Sequence, residues 1–267
     1  MNSPSAPFPE LQGFNRLKQC RYGLMLYNPN DVVLGRSLDL YGEFSEGEAV
    51  LFLEAVKPGQ LVLDIGANIG AHTLVFSKAV GAEGHVFAFE PQRLSFQTLC
   101  ANMALNGITN AACHYKAVGE DIGSIRVPFL DPYVENNFGG LGLKGQQGGE
   151  PVEQISIDSL NLNQCHFMKI DVEGMECQVL KGAKETIGRH RPILYVENDR
   201  EEHSEELIRL IASMNYRLYW HRMLVFNPDN FAANPDNVFS NMVSTNMMCV
   251  PDESPLDMSL MTPVETP

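Results

Sequence analysis

The sequence predicts an α/β protein built on a mostly parallel central sheet, with helices on both faces and a late antiparallel strand. Three observations predict it. The apolar run 61–65 ends in the turn Gly66-Ala67-Asn68-Ile69-Gly70, which feeds a helical pattern. The next apolar run, 85–89, ends on Glu90, about 20 residues past the turn, where doubly wound folds keep an acidic residue for a ribose diol. Two later runs, 167–172 and 193–196, again carry carboxylates at their ends, Asp171 and Glu197.

From the start of the chain, residues 1–12 are proline-rich and read as an arm without fixed structure. Residues 22–39 alternate short apolar pieces with the turn chemistry of Asn28-Pro29-Asn30-Asp31 and read as a β hairpin. An arm and hairpin over 1–37 therefore precede a main domain over 38–251. Ser45 and Glu48 read as a capping box for a helix to about residue 56, which Pro58-Gly59 ends. Gly66 supplies the sharp turn after strand 61–65, and Gly70 lets the helix 71–79 begin close to strand and ligand. After strand 85–90, Pro91 sits at a helix start and Asn106-Gly107 closes that helix. Residues 111–118 form a third strand. Residues 124–129 and 152–157 alternate like antiparallel strands around a glycine-rich stretch, so 124–157 reads as a substrate-side insertion. Strand 167–172 leads into a helix that Glu173 opens, and strand 193–196 ends at Glu197. The helix 204–214 shows an apolar stripe at 207, 208, 211 and 214, and strands follow at 216–220, 224–227 and 247–250. Residues 252–267 lack periodicity and read as a flexible tail.

The 267 residues suit one large domain, and 44% hydrophobic content supports a core. A net charge of −14 speaks against nucleic acid as the main substrate and against an anionic membrane surface. The six cysteines form no C-x-x-C pair and the seven histidines lie at no zinc spacing, so reduced thiols and no metal site are expected. No signal-like leader and no run of about 18 apolar residues are visible, which makes a cytoplasmic enzyme the expectation.

The turn departs from the dinucleotide fingerprint G-x-G-x-x-G. Asn68 occupies the middle glycine position that admits a pyrophosphate, and Asp64 stands two residues before Gly66. Both features argue for a nucleoside ligand without a diphosphate. Asp64-x-Gly66-Ala67-Asn68-x-Gly70 resembles the S-adenosylmethionine (SAM) loop of class I methyltransferases, in the form used by the FkbM family. Phe89-Glu90-Pro91, Lys169-Ile170-Asp171-Val172-Glu173-Gly174-Met175-Glu176 and Tyr195-Val196-Glu197-Asn198 fit the same family, the second most specifically. The ordered set covers roughly 38–250. The resemblance implies a Rossmann-like class I methyltransferase domain, SAM as cofactor, and a small-molecule hydroxyl acceptor such as a sugar or secondary metabolite. It implies SAM contacts at Asp64, Gly66, Ala67, Asn68, Gly70, Glu90 and Pro91. It also places Val118 and Asp121 beside the adenine, and Glu43 or Glu46 near the SAM amino group. A solvated first helical turn is the competing reading for the last two. The family carries an Asn-x-Gly element in its substrate-side loop. Asn137-Phe138-Gly139 matches it, with Tyr133, Asn136 and Asn137 as candidate contacts.

Methyl transfer from a sulfonium to a hydroxyl is an in-line displacement that needs a held geometry and a home for one proton. Asp171, Glu173 and Glu197 stand at strand carboxyl ends and are the candidate catalytic groups, with Lys169 orienting them. Each has a structural alternative: a helix-dipole charge for Glu173, a loop anchor for Glu197, a buried ion pair for Lys169. His72 reads as structural. Asp171 and Glu173 offer two oxygens to a Mg²⁺ ion, and no third ligand is evident. Two alternatives stand beside this reading. An NAD(P)-dependent oxidoreductase is opposed by Asn68 and by the lack of a Tyr-x-x-x-Lys pair; a non-catalytic SAM-binding domain is opposed by the retained carboxylates.

Overall fold

A computed structural model describes residues 11–265. A hairpin of β1 (Arg16–Cys20) and β2 (Gly23–Tyr27) is followed by α1 (Leu34–Tyr41) and α2 (Glu46–Ala55). The βα core runs β3 (Leu61–Ile65), α3 (Ala71–Val80), β4 (His85–Phe89), α4 (Arg93–Leu105) and β5 (Ala111–His114). Then come β6 (Ala117–Val118), β7 (Gly123–Val127) and β8 (Glu150–Ile155). The chain returns through β9 (Phe167–Ile170), α5 (Glu176–Lys181), α6 (Lys184–His190), β10 (Ile193–Glu197) and α7 (Glu201–Ser213). It ends with β11 (Tyr216–Leu224), β12 (Val243–Pro251) and β13 (Thr262–Pro263).

The main sheet has eight strands in the order β13-β11-β12-β10-β9-β3-β4-β5. The five from β10 to β5 are mutually parallel, and β12, β11 and β13 add antiparallel pairs at one side. Every residue of β3 is buried, as a central strand covered on both faces requires. Its side chains alternate between the two layers. Leu63 and Ile65 join the cluster of Val179, Leu180, Ile187, Leu207, Ile208 and Ile211 from α5, α6 and α7. Val62 joins Ala49, Phe52, Val75 and Phe76 from α2 and α3 on the other face. The strand order reverses between β3 and β9, so a crevice opens at their shared carboxyl end.

Several expectations need correction. The hairpin lies at 16–27 rather than 22–39, and the boundary at 37 falls inside α1. The Asn28-Pro29-Asn30-Asp31 turn instead starts that helix, with Asp31 Oδ1 accepting from Val33 and Leu34 N–H at 3.0 and 3.1 Å. The proline-rich arm lies, over residues 1–10, outside the described residues. The third strand stops at His114, and Ala117-Val118 pairs with β8 in a separate sheet ordered β6-β8-β7. Leu224–Asn227 is not a strand of its own: Leu224 ends β11, and the chain then crosses to β12. The 252–265 segment is not loose. Met258 and Val264 are buried in the two core layers and Thr262 pairs with Trp220.

Candidate active site

The crevice encloses about 280 Å³. Its floor comes from the carboxyl ends of β3, β9 and β10, the β4 end gives Glu90, and α2, α3 and β12 close one side. Gly66 is held at φ +83°, and a Cβ there would sit 1.7 Å from the Asp171 carbonyl oxygen. Only glycine lets the β3 turn lie against the β9 turn. Gly66, Ala67 and Asn68 line the crevice. Asn68 has φ +50°, and its buried side-chain oxygen has no partner. Such strain and an orphaned acceptor are tolerated at ligand sites.

Glu90 locks this turn from β4. Its two carboxylate oxygens accept the N–H of Asn68 at 2.8 Å and of Gln92 at 2.7 Å, leaving lone pairs directed at the crevice. Burial pushes its carboxyl up to about 7, against the backbone donors that pull it down. Beside it an apolar cleft is lined by Ile65, Phe89, Pro91, Ala117, Val118, Leu141, Leu143 and Val172.

Asp171, Glu173 and Glu197 converge: each offers a carboxylate oxygen within 4.8 Å of the others. Glu197 thus brings a third carboxylate oxygen beside the two that the linear sequence paired. Asp171 accepts from the Lys169 ammonium at 2.9 Å, and Glu173 from Arg200 at 2.5 Å. Lys169 is buried and also lies 3.6 Å from Asp64; although burial pulls it down, Asp171 and Asp64 hold its ammonium above the usual lysine range. Burial, then the neighbouring Asp171, raises Glu173 to about 7. Burial and the same carboxylates raise Glu197 well above its ordinary value, and its Oε2 has no hydrogen-bond partner. Glu173 does not open a helix. It sits in a turn at φ +57°, and Glu176, at the head of α5, accepts the Gly174 N–H at 3.0 Å.

Two residues that sequence reasoning passed over line the crevice: Glu48 and His72. Ser45 sits at the N-cap of α2, yet its hydroxyl donates to Glu48 Oε1 at 3.1 Å instead of capping the helix. The same Glu48 oxygen accepts from Ser244 at 2.5 Å and Asn246 at 3.2 Å on β12. His72 packs against the rings of Phe44 and Phe52, and its Nε2 is buried without a partner. Burial, then Lys169, lowers its basicity well below the ordinary range. The sequence signal for Glu48 was its capping-box spacing from Ser45, which read it as a helix cap and not as a site residue.

Other expected contacts lie elsewhere. Glu43 is buried away from the crevice, accepting from Arg21, Asn227 and the Phe231 N–H at 2.7, 2.8 and 2.7 Å. Glu46 receives the Tyr22 hydroxyl at 2.8 Å. Asp64 is fully buried beneath the turn, where Thr73 donates to it at 2.6 Å, so it braces α3 rather than touching a ligand. Gly70 serves packing: a Cβ there would meet Leu99 at 2.6 Å. Asp121 is exposed at the start of β7 and lines neither cavity. Of the loop contacts, Asn137 lines the crevice; Tyr133 packs on Phe14, and Asn136 bonds the backbone at Asn30 and Val32.

A parallel sheet with its crevice at the order reversal, a carboxylate gripping the first turn from the second strand, and antiparallel strands at one side together define a class I methyltransferase fold. The Methyltransferase FkbM domain family matches residues 64–218, and the chain belongs to that family. Residues of this chain are 30% identical to the Hexuronic acid methyltransferase AglP of Haloferax volcanii, over 55% of this chain and 59% of that protein. They are 26% identical to Methyltransferase 1 of Beauveria bassiana, over 45% of this chain and 57% of that protein. The chain thus spans under 60% of the length of the curated relatives it matches. A solved FkbM methyltransferase from Methylobacillus flagellatus aligns at 20% identity and TM-score 0.46, covering 75% of this chain and 50% of that one. Among the described residues no helix is long and apolar enough to cross a membrane.

Proposed function

We propose that the protein is a SAM-dependent O-methyltransferase acting on a hydroxyl of a small molecule, with sugars the favoured class. The observation that carries the reading is Glu90, whose carboxylate already fixes the Asn68 turn and keeps free lone pairs at the mouth of β3. The residues fit the donor. Glu90 suits a ribose diol, and the neighbouring cleft suits a purine. The sulfonium of bound SAM supplies an electrophilic methyl group.

The chain's own groups then have simple tasks. Lys169 holds Asp171 in place at the crevice floor. Glu197 and Asp171 orient the acceptor by hydrogen bonds to its hydroxyls. Glu173, whose carboxyl is raised to about 7 and steadied by Arg200, takes the proton from the attacking hydroxyl near neutral pH. The sugar assignment draws support from the name of the Haloferax relative. A cytoplasmic location belongs to the same reading.

Calorimetric titration with SAM and with NAD tests the donor: binding of SAM alone is expected, and binding of NAD alone would overturn the reading. Transfer of isotope label from SAM to a panel of sugars and alcohols tests turnover; a protein that binds SAM and labels nothing would be the non-catalytic alternative.

A further inference from the structure

The crevice carries a charge imbalance that bears on what it methylates. Six carboxylates line it: Glu48, Glu90, Asp171, Glu173, Glu197 and Asp199. Lys169 is the one lysine or arginine in that lining, and it is already held between Asp171 and Asp64. Arg200, beside the crevice, is held by Glu173. His72, 7% exposed with its Nε2 unpartnered, lines the same space as a neutral imidazole. The remaining wall is uncharged: apolar at Phe44, Val225, Met242 and Val243, and neutral polar at residues such as Asn137, Ser244 and Asn246. Glu197 gives a local reading of the field. Its Oε2 lacks any donor, and burial, then the neighbouring carboxylates, favour its protonated form.

We infer that the methyl acceptor carries no negative charge: a neutral glycoside or polyol hydroxyl, and not a uronate or phosphorylated sugar. The inference rests on the methyltransferase reading above. Among the described residues lining the crevice, an anion buried there has no free cation to pair with, and an unpaired buried charge is strongly disfavoured. Rows of carboxylates instead accept hydrogen bonds from neutral hydroxyls, which are donors the site can satisfy. Selection by repulsion of the wrong partner follows. The Haloferax relative is named for hexuronic acid, so the two proteins differ in this choice of acceptor.

The test uses the full chain, isotope-labelled SAM and a small-molecule extract of the cells that express it, supplemented with methyl glucoside and methyl glucuronide. Charcoal removes adenine-bearing molecules, and an anion exchanger at neutral pH divides the labelled products. One arm contains EDTA and the other Mg²⁺. At least tenfold more label is expected in the unretained fraction, in both arms. Label mainly in the retained fraction overturns the inference; if that happens only with Mg²⁺, a bridging cation makes up the missing charge. No label in either fraction, with SAM binding intact by calorimetry, overturns the small-molecule reading and the inference with it. The rim variant Asp199→Lys is expected to raise the retained share at least threefold. A share unchanged in that variant overturns the claim that the local field selects the acceptor.

Discussion

Glu48 Oε2 and His72 Nε2 face each other across 3.8 Å, too far for a hydrogen bond. Glu48 Oε1 is fully used by Ser45, Ser244 and Asn246, whereas the imidazole nitrogen is out of solvent with nothing to bond. An orphaned buried nitrogen destabilises the fold by about 1–3 kcal/mol and persists where a ligand will satisfy it. His72→Met keeps the volume and removes the orphan. We expect it to raise the melting temperature by about 2–4 °C, measured by calorimetry. A lower melting temperature would mean that the nitrogen has a partner in the free protein.

Glu90 gives a pH dependence with a definite sign. Its carboxyl is near 7 in the fold, above the ordinary 4.5, so the native state binds the extra proton between those values. Its contribution to stability is present below about pH 4.5 and lost as pH rises through about 7, by about 3 kcal/mol at most. Glu173 shifts in the same direction. Glu90→Gln should therefore flatten, without abolishing, the fall in denaturant stability between pH 5 and pH 8.

The same variant addresses the ribose. Replacing the carboxylate removes charge-assisted acceptors, so SAM should bind more weakly by about 1–3 kcal/mol in calorimetric titration. Unchanged affinity would remove Glu90 from the donor site.

Lys169 is the only cation against two carboxylates at the floor, and Asp64 Oδ1 has no other partner. Lys169→Met leaves Asp64 buried and uncompensated. We expect a loss of about 3–5 kcal/mol in urea unfolding, with Asp64→Asn in the same chain restoring part of it. No restoration by the second change would show that packing, not charge, dominates.

Glu43 separates structure from binding. Its carboxylate joins residue 21 to residues 227 and 231. Glu43→Ala should lower stability by about 2–4 kcal/mol while SAM affinity in the folded protein stays within twofold. A selective loss of affinity would restore the amino-group contact implied by the family resemblance.

What the sequence disclosed was local or positional. The β3 turn is legible because strand, glycine turn and helix are contiguous, and Asp171 and Glu197 because ligand groups gather at parallel strand ends. Asp64 and Gly70 belong to the same motif, yet they brace α3 and make room for Leu99, a distinction that only packing makes. Glu48 was hidden because its partner Ser244 lies 196 residues away. The docking of residues 258–264 was hidden because single apolar residues, Met258 and Val264, carry it without periodicity.

The Glu43 staple has a consequence for dissecting this chain. The span matched by the family, 64–218, holds Glu90, Lys169, Asp171, Glu173 and Glu197, but Glu48, Ser244 and Asn246 lie outside it at either side. A fragment trimmed to the family limits would keep the strand ends that form the crevice floor and discard the side that α2 and β12 close. Both flanks, although far apart in the chain, are one wall joined through two carboxylates, Glu43 and Glu48.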